Sequence, residues 1–118
     1  MSTRAIPSDG ADPASVAKMI GDMEDLVRLL PKGLSRAKPW QQRLIDQFLK
    51  LDRLLQVLRL TIVMERADVE ICEAAAQLHA ACRYASASSA NTRLDQVSKA
   101  SLRLLAQLSA SAVKALTS

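Results

Sequence analysis

A leucine-rich seam over residues 44–62 restricts the folds open to this chain more than any other feature of its sequence. Its apolar residues recur at alternating steps of four and three, so they lie along one face of an α-helix. They are Leu44, Phe48, Leu51, Leu55, Leu58 and Ile62. No helix-breaking residue follows before the stretch ASASSAN at residues 85–91, which predicts a helix over about residues 39–86. A helix of that length would span about 70 Å, roughly twice the diameter of a compact domain of this size.

The apolar face changes direction inside this predicted helix. At about 100° per residue the seam keeps one direction, but beyond Glu65 the larger apolar face points roughly 160° away. That second face holds Ile71, Ala74, Leu78, Cys82 and Ala85. Either the helix changes its packing partner there, or it breaks near residues 65–68 with Asp68 as the N-cap of a new helix. The first alternative gives three helices, the central one long, and the second gives a four-helix bundle.

A first helix is predicted over about residues 13–30. Asp12 is a good N-cap, Pro13 suits the first helical position, and apolar residues then recur at steps of three and four. Pro31 and Gly33 end this helix, because proline cannot continue it and glycine favours the conformation that follows a helix.

A last helix is predicted over about residues 92–117, where Thr92 and Asp95 match a capping box before an apolar run. Its apolar side is expected to hold Leu94, Val97, Leu105, Leu108, Ala112 and Leu116. Leucine and alanine supply most of the apolar composition, and only 3% of the residues are aromatic, which is typical of helices. We therefore predict an all-α fold, a small helical bundle that forms one domain over residues 13–118 after a flexible N-terminal arm of residues 1–12.

The long helix also predicts a homodimer. Its apolar residues point in more directions than two other helices can cover, and its basic first half would attract the acidic second half of an antiparallel copy. The candidate interface, with a second copy or with a partner protein, consists of Trp40, Leu44, Phe48, Leu51, Leu55, Leu58, Arg59 and Ile62. The sequence leaves open whether this seam is core or binding surface.

Arg59 is unusual because it lies between the seam and a second apolar line of the same helix. A buried arginine needs a carboxylate, and Asp52 is too far along the helix axis to supply it. The partner would then come from another helix or another subunit. The alternative is that the head group of Arg59 reaches solvent from the edge of a groove.

The segment between the first two helices is basic. Residues 28–59 carry eight cations and two anions, whereas residues 60–82 carry one cation and four anions. The candidate contacts with a polyanion are Lys32, Arg36, Lys38 and Arg43. Asp46 interrupts the basic stripe, and the prolines and glycine of the stretch LLPKGLSRAKPW (residues 29–40) are explained by a corner alone. We therefore interpret the segment as a solvated corner, with nucleic-acid binding as the alternative function.

No residue pattern typical of an enzyme, a metal site or a cofactor site is present. The chain has one histidine and neither a glycine-flanked serine nor a phosphate-binding loop. On one helix, His79 and Cys82 could supply only two metal ligands, and Cys72 and Cys82 are too far apart to bridge, so both are expected as core thiols. With no membrane span and no signal peptide in the sequence, a cytoplasmic protein without membrane contact is expected.

By elimination, the sequence predicts a small non-enzymatic regulatory protein that acts through protein–protein interaction. Its mechanism would be the binding of a helix in a groove. An antiactivator that sequesters a transcription regulator, an adaptor and an assembly chaperone all fit this description. We favour the regulator of a transcription factor, because small helical dimers without a catalytic site often act by sequestration.

Overall fold

The chain folds into four α-helices, and a computed structural model describes them over residues 13–117. They are α1 (Pro13–Leu29), α2 (Pro39–Val63), α3 (Asp68–Ser89) and α4 (Gln96–Thr117), and a 3-10 helix (Leu30–Gly33) follows α1. No strand occurs within those residues. The predicted all-α bundle is confirmed in its four-helix form. The predicted arm of residues 1–12, and the capping role of Asp12, lie outside the described residues.

Each helix contacts the next one along the chain, and α4 contacts α1, so the four helices close into a ring. The start of α1 and the end of α2 meet the start of α3 and the end of α4. The helices therefore alternate in direction, as in an up-down-up-down bundle. Two connections, residues 30–38 and 90–95, lie at one end, here called the two-turn end. The connection of residues 64–67 lies at the other, here called the one-turn end.

The leucine-rich seam of α2 fills the centre of the bundle. Leu51, Leu55 and Leu58 are at most 1% exposed, and side chains from the other three helices close over them. The remaining core is supplied by Val16, Ile20, Met23, Val27 and Leu30, by Ala74, Ala75, Leu78, Cys82 and Ala85, and by Leu94, Leu102, Leu105, Ala112 and Ala115. Burial of this apolar surface is the main force that holds the helices together.

The predicted break in the long helix is present, and backbone hydrogen bonds define it. The N–H of Arg66 donates to the carbonyl of Thr61, and the N–H of Glu65 donates to that of Ile62, both at 3.0 Å. This is the Schellman arrangement of a helix C-terminus. Its left-handed position, where glycine is usual, is occupied by Glu65 with φ 51°. Because α3 folds back along α2 in the same chain, the length of an unbroken helix no longer requires a second subunit.

α3 begins at Asp68, and its N-cap is Ala67 rather than the predicted Asp68. The acceptor at this helix start is the carboxylate of Glu70, which takes the N–H of Ala67 at 3.3 Å. Glu70 also accepts a hydrogen bond of 3.0 Å from the guanidinium of Arg66. That bond from Arg66 lowers the pKa of Glu70 from its ordinary value. The prediction was wrong by one position because the capping carboxylate comes from inside the helix.

α4 begins at Gln96, four residues later than predicted. Its capping residue is Asp95, whose carboxylate accepts the backbone N–H of Ser98 at 2.9 Å and its hydroxyl at 2.7 Å. The hydroxyl bond is the main reason that the pKa of Asp95 is lowered. Thr92 instead donates its hydroxyl to the carbonyl of Ser89, at 2.7 Å, and so belongs to the turn. The predicted capping box was therefore wrong in both residues, since Asp95 is the N-cap of α4 and not the third residue of a helix capped by Thr92.

α3 and α4 approach each other through small residues. Cys82, Ala85, Ser109 and Ala112 are all at most 1% exposed. The predicted apolar side of α4 is wrong at Val97, which is 76% exposed and precedes the part of the helix that faces the core. Leu102 is buried in its place, about four turns from the end of the helix and in line with Leu105.

Candidate protein-docking groove

A groove of about 620 Å³ opens at the one-turn end, and all four helices line it. Its apolar lining consists of Val16, Ala17 and Ile20 of α1, Ile62 and Val63 of α2, Ile71 of α3, and Ala115 and Leu116 of α4. Arg59 and Asp68 complete the wall. The groove exists because alanines take the place of larger core residues at this end, and the larger apolar side chains lie on the groove walls instead.

The lining passes gradually from core to surface. Val16 and Ile20 are buried, Ile62 and Ile71 are half-buried, and Val63 is exposed. Residues that are buried on their inner side and open on their outer side are typical of a site that a partner side chain can enter. The groove is therefore an apolar recess in contact with solvent.

Exposed apolar side chains also lie on the outer face of α2, and one of them, Val63, lines the groove. Leu60, Val63 and Met64 follow each other at steps of three and one and are 55%, 69% and 62% exposed. Val69, at the start of α3, is 72% exposed on the other side of the same turn. Single exposed apolar residues are ordinary on protein surfaces, but a cluster that joins an apolar groove is typical of an interaction site. We call Leu60, Val63, Met64 and Val69 the apolar rim.

The charges around the groove are mostly negative. Glu65, Asp68 and Glu73 form no ion pair within residues 13–117. Arg66 is paired with Glu70 at 3.0 Å, so it does not offset those three carboxylates. Asp68 lines the groove, so a partner that fills it would meet this carboxylate, while Glu65 and Glu73 lie in the same stretch of chain.

Arg59 forms an ion pair with Glu24 of α1, in the same chain. The side chain of Glu24 is 13% exposed and that of Arg59 is 50% exposed, so the carboxylate is largely buried and the guanidinium is half in solvent. Asp52 instead accepts a hydrogen bond of 3.0 Å from the side-chain amide of Gln56. Another helix therefore supplies the partner of Arg59, and the pair fixes α1 beside α2 at one wall of the groove.

In the structure, the residues of the predicted interface lie in three different places. Five are buried in the chain's own core: Leu44, Phe48, Leu51, Leu55 and Leu58. Trp40 is half-buried at the two-turn end, where it packs on the same core. Only Arg59 and Ile62 reach the groove. A second protein could touch the buried five only if the bundle opened.

Sequence reasoning missed most of the groove, including Val16, Ile20, Ile71 and Leu116. Each has the spacing of a core residue on its own helix, and only the meeting of four helix ends leaves it facing a recess. The sequence did contain one signal for the apolar rim, because Leu60 and Met64 lie on the side of α2 opposite to the seam.

The four predicted polyanion contacts, Lys32, Arg36, Lys38 and Arg43, are exposed at the two-turn end. Arg36 lies 3.8 Å from Asp46 in an ion pair. The turn between α3 and α4 adds the exposed Arg93. A small cleft of about 80 Å³ is lined by Trp40 and Arg43 together with Ser88, Ser89 and Thr92, which places the start of α2 beside the turn between α3 and α4.

His79 and the two cysteines form hydrogen bonds between α3 and α4. Nδ1 of His79 lies 3.0 Å from Oγ of Ser109, and the thiol of Cys72 donates to the carbonyl of Leu116 at 3.4 Å. Burial raises the pKa of the Cys82 thiol to about 11. In the part of the chain that the structure describes, no three His, Cys, Asp or Glu side chains lie close enough to hold a metal ion.

No known protein family, curated protein or solved structure matches this chain. Within residues 13–117, none of the helices has both the length and the hydropathy needed to cross a membrane.

Proposed function

We propose that this chain is a small regulatory protein that binds an amphipathic helix of a partner protein in the groove at the one-turn end. The observation that carries the proposal is an apolar groove whose lining includes Val63, an exposed residue of the apolar rim. A helix that docks in such a site inserts apolar side chains at positions i, i+3, i+4 and i+7. The groove volume of about 620 Å³ lies within the range of roughly 300–1,000 Å³ that is common for binding sites.

The charge around the groove specifies the flanks of the partner helix. Glu65, Asp68 and Glu73 have no ion-pair partner among the described residues, so lysine or arginine beside the apolar anchors would be favoured. An acidic helix would bring like charges together at the same edge. The proposed ligand is therefore a basic amphipathic helix.

A protein of this kind acts by occupying a surface of its partner. If the bound helix is one that a transcription regulator needs for its own contacts, the chain is a cytoplasmic antiactivator. If the helix belongs to an unassembled subunit, the chain is an adaptor or chaperone.

Fluorescence anisotropy with a synthetic helix tests the proposal. The probe has leucines at i, i+3, i+4 and i+7 and lysines on both flanks, and its counterpart carries glutamates on the flanks. We expect the full chain to bind the lysine peptide at least tenfold more tightly. Equal binding of both peptides, or binding of neither, would contradict the proposal.

A matched pair of variants locates the binding site. L60S/V63S removes two exposed side chains of the apolar rim, and Y84S/V97S removes two exposed side chains elsewhere. Neither change opens the core, so both proteins should fold. The first variant should bind the lysine peptide about tenfold more weakly, and the second should bind it as the original chain does. Equal affinities for the two variants would place the peptide outside the groove.

A second candidate function, nucleic-acid binding at the two-turn end, is favoured by the exposed cations near both connections at this end. The described residues of this end carry Lys32, Lys38, Arg43 and Arg93 without an ion pair. Binding of a fluorescent oligonucleotide should weaken steeply with salt and should be lost in K38E/R93E. Binding that ignores salt, or that survives this variant, would exclude phosphate contacts at this end.

A further inference from the structure

The connection between α2 and α3 contains no residue that requires a turn. Residues 64–67 are methionine, glutamate, arginine and alanine, all good helix formers. The chain nevertheless reverses there, with Glu65 at φ 51° as the one non-glycine residue of positive φ among residues 13–117. A left-handed conformation is costly for a residue with a side chain. The reversal is thus imposed by the packing of α3 on α2 and not by the local sequence.

A continuous helix through these residues would lose no backbone hydrogen bond. In the turn, the N–H groups of Glu65 and Arg66 donate to the carbonyls of Ile62 and Thr61. In an α-helix the same two groups donate to Thr61 and Ile62, four residues back in each case. The Arg66–Glu70 ion pair already has the spacing of a helical pair and would persist.

A continuous helix would also give the apolar rim a place in a larger stripe. Leu60, Val63 and Met64 are exposed on the outer side of α2. Counted onward at helical steps of three and four, they fall in line with the buried face of α3. That face consists of Ile71, Ala74, Ala75, Leu78, Cys82 and Ala85. The turn therefore interrupts one apolar stripe and leaves its first part uncovered.

We propose that two copies of this chain form a dimer by exchanging their α3–α4 hairpins. In each copy α2 and α3 join into one helix over residues 39–89, roughly 50 residues and about 75 Å long. Each half of the dimer is a four-helix bundle made of α1 and α2 from one chain and α3 and α4 from the other. All core contacts are formed again across the two chains, so such an exchange is inexpensive once the hinge opens.

The second copy is the occupant that the apolar rim fits. In the exchanged dimer the two one-turn ends meet at the midpoint, so Leu60, Val63 and Met64 lie between the two bundles instead of in solvent. This inference follows from the turn alone and does not rest on the proposed function. It adds that the groove is open in the monomer and closed in the dimer.

The mass of the full chain in solution, measured by light scattering over a wide concentration range, tests the exchange. E65G makes the left-handed turn easy and should shift the equilibrium to monomer. E65V makes the turn harder, because a β-branched residue resists positive φ, and should shift it to dimer. We expect the dissociation constants of the two variants to differ at least tenfold. Equal constants, or no dimer of E65V at any concentration, would overturn the proposal.

Loop insertions supply a matched control. A Gly-Gly-Ser-Gly insertion after Arg66 frees the turn and should give monomer, whereas the same insertion after Ser35 should leave the dimer unchanged. If both insertions changed the dimer equally, the hinge would not be residues 64–67.

Cross-linking separates an exchanged dimer from two intact bundles in contact. Leu54 of α2 and Ala81 of α3 line a separate recess between these two helices. In L54C/A81C with Cys72→Ala, a short bismaleimide should join the two chains of the dimer covalently. Links only within single chains would show that the hairpins are not exchanged.

Discussion

The two ends of the bundle are built by different means. At the two-turn end, Pro31, Gly33 and Pro39 mark the first connection, Asp95 caps the helix after the second, and Trp40 packs over the core. At the one-turn end no proline or glycine marks the connection, and the core opens into a groove. The first end is specified by its own residues, and the second is shaped by the helices that meet there.

The difference shows that local sequence and long-range packing can each end a helix. α2 ends at Val63 because the apolar face of α3 points the other way. The chain buries more apolar surface when α3 folds back on α2 than it would if one helix continued. An end of this kind leaves residues incompletely buried. Because its residues are incompletely buried, the one-turn end is the better candidate for a surface that can bind different partners.

The largest expected contrast between the ends is in core packing. L44A removes a side chain that is 4% exposed beneath Trp40 and should lower the free energy of unfolding by about 2–4 kcal/mol. V63A removes a side chain that is 69% exposed at the groove and should change it by less than about 0.5 kcal/mol. Urea unfolding followed by circular dichroism measures both. Similar losses would mean that the one-turn end is as tightly packed as the other.

The pH dependence of stability, through the cysteines of α3, gives a second comparison of the two ends. Burial raises the pKa of Cys82 from its ordinary value near 9 to about 11, so the folded protein holds this proton more tightly than the unfolded chain does. The resulting stability is fully present below pH 9 and is lost as the pH rises through 11, by up to about 3 kcal/mol. Thermal unfolding should show this loss between pH 9 and 11, and C82A should lack it.

Thiol labelling extends the same test. Cys72, half-buried in the second turn of α3, should react with iodoacetamide faster than the buried Cys82 at pH 8. Equal labelling of both thiols in the folded protein would show that the core near the two-turn end opens as readily as the groove.

Substitutions in the turn of residues 64–67 are expected to change the free energy of unfolding by an intermediate amount. E65G relieves the left-handed conformation and should raise the stability of the monomer by about 1 kcal/mol. M64G, at the preceding residue with φ −82°, gains no such relief and should lower it by about 0.5–1 kcal/mol. Denaturant unfolding at low protein concentration gives both values. A loss in E65G would mean that the side chain of Glu65 contributes more than its backbone costs.

The smallest effect concerns the ion pair beside the groove. A double-mutant cycle of E24Q and R59M should give a coupling energy of about 0.5–1 kcal/mol, because the guanidinium is half-exposed. The exposed Lys18–Asp22 pair within α1 should give about 0.3 kcal/mol in the same experiment. A coupling near zero for both pairs would show that the buried side of Glu24 adds nothing.

Much of the fold could be predicted because it depends on spacing along single helices. The seam of α2, the corner at Pro31 and Gly33, and the break before Asp68 all follow from residues within a few turns of each other. The capping errors at Asp68 and Thr92 arose because a different nearby carboxylate, Glu70 or Asp95, accepts the backbone hydrogen bond at each helix start. The dimer stays a prediction, now argued from the hinge instead of from the uncovered length of a helix.

The groove could not be predicted in the same way. Val16, Ile71 and Leu116 are far apart in sequence, and only the alternating direction of the helices brings them together. Each reads as a core residue on its own helix. Their place beside a recess depends on how far each neighbouring helix extends, which no single-helix pattern contains.

The alternating helix directions also sort the charges of the chain. The basic turn at residues 30–38 lies at one end, and the turn with Glu65 and the following Asp68 lies at the other, along the 56 Å axis of the molecule. The protein therefore carries an electric dipole moment along its length. A charged partner is turned toward the matching end before contact, so the rate of encounter, more than the lifetime of the complex, should fall as ionic strength rises.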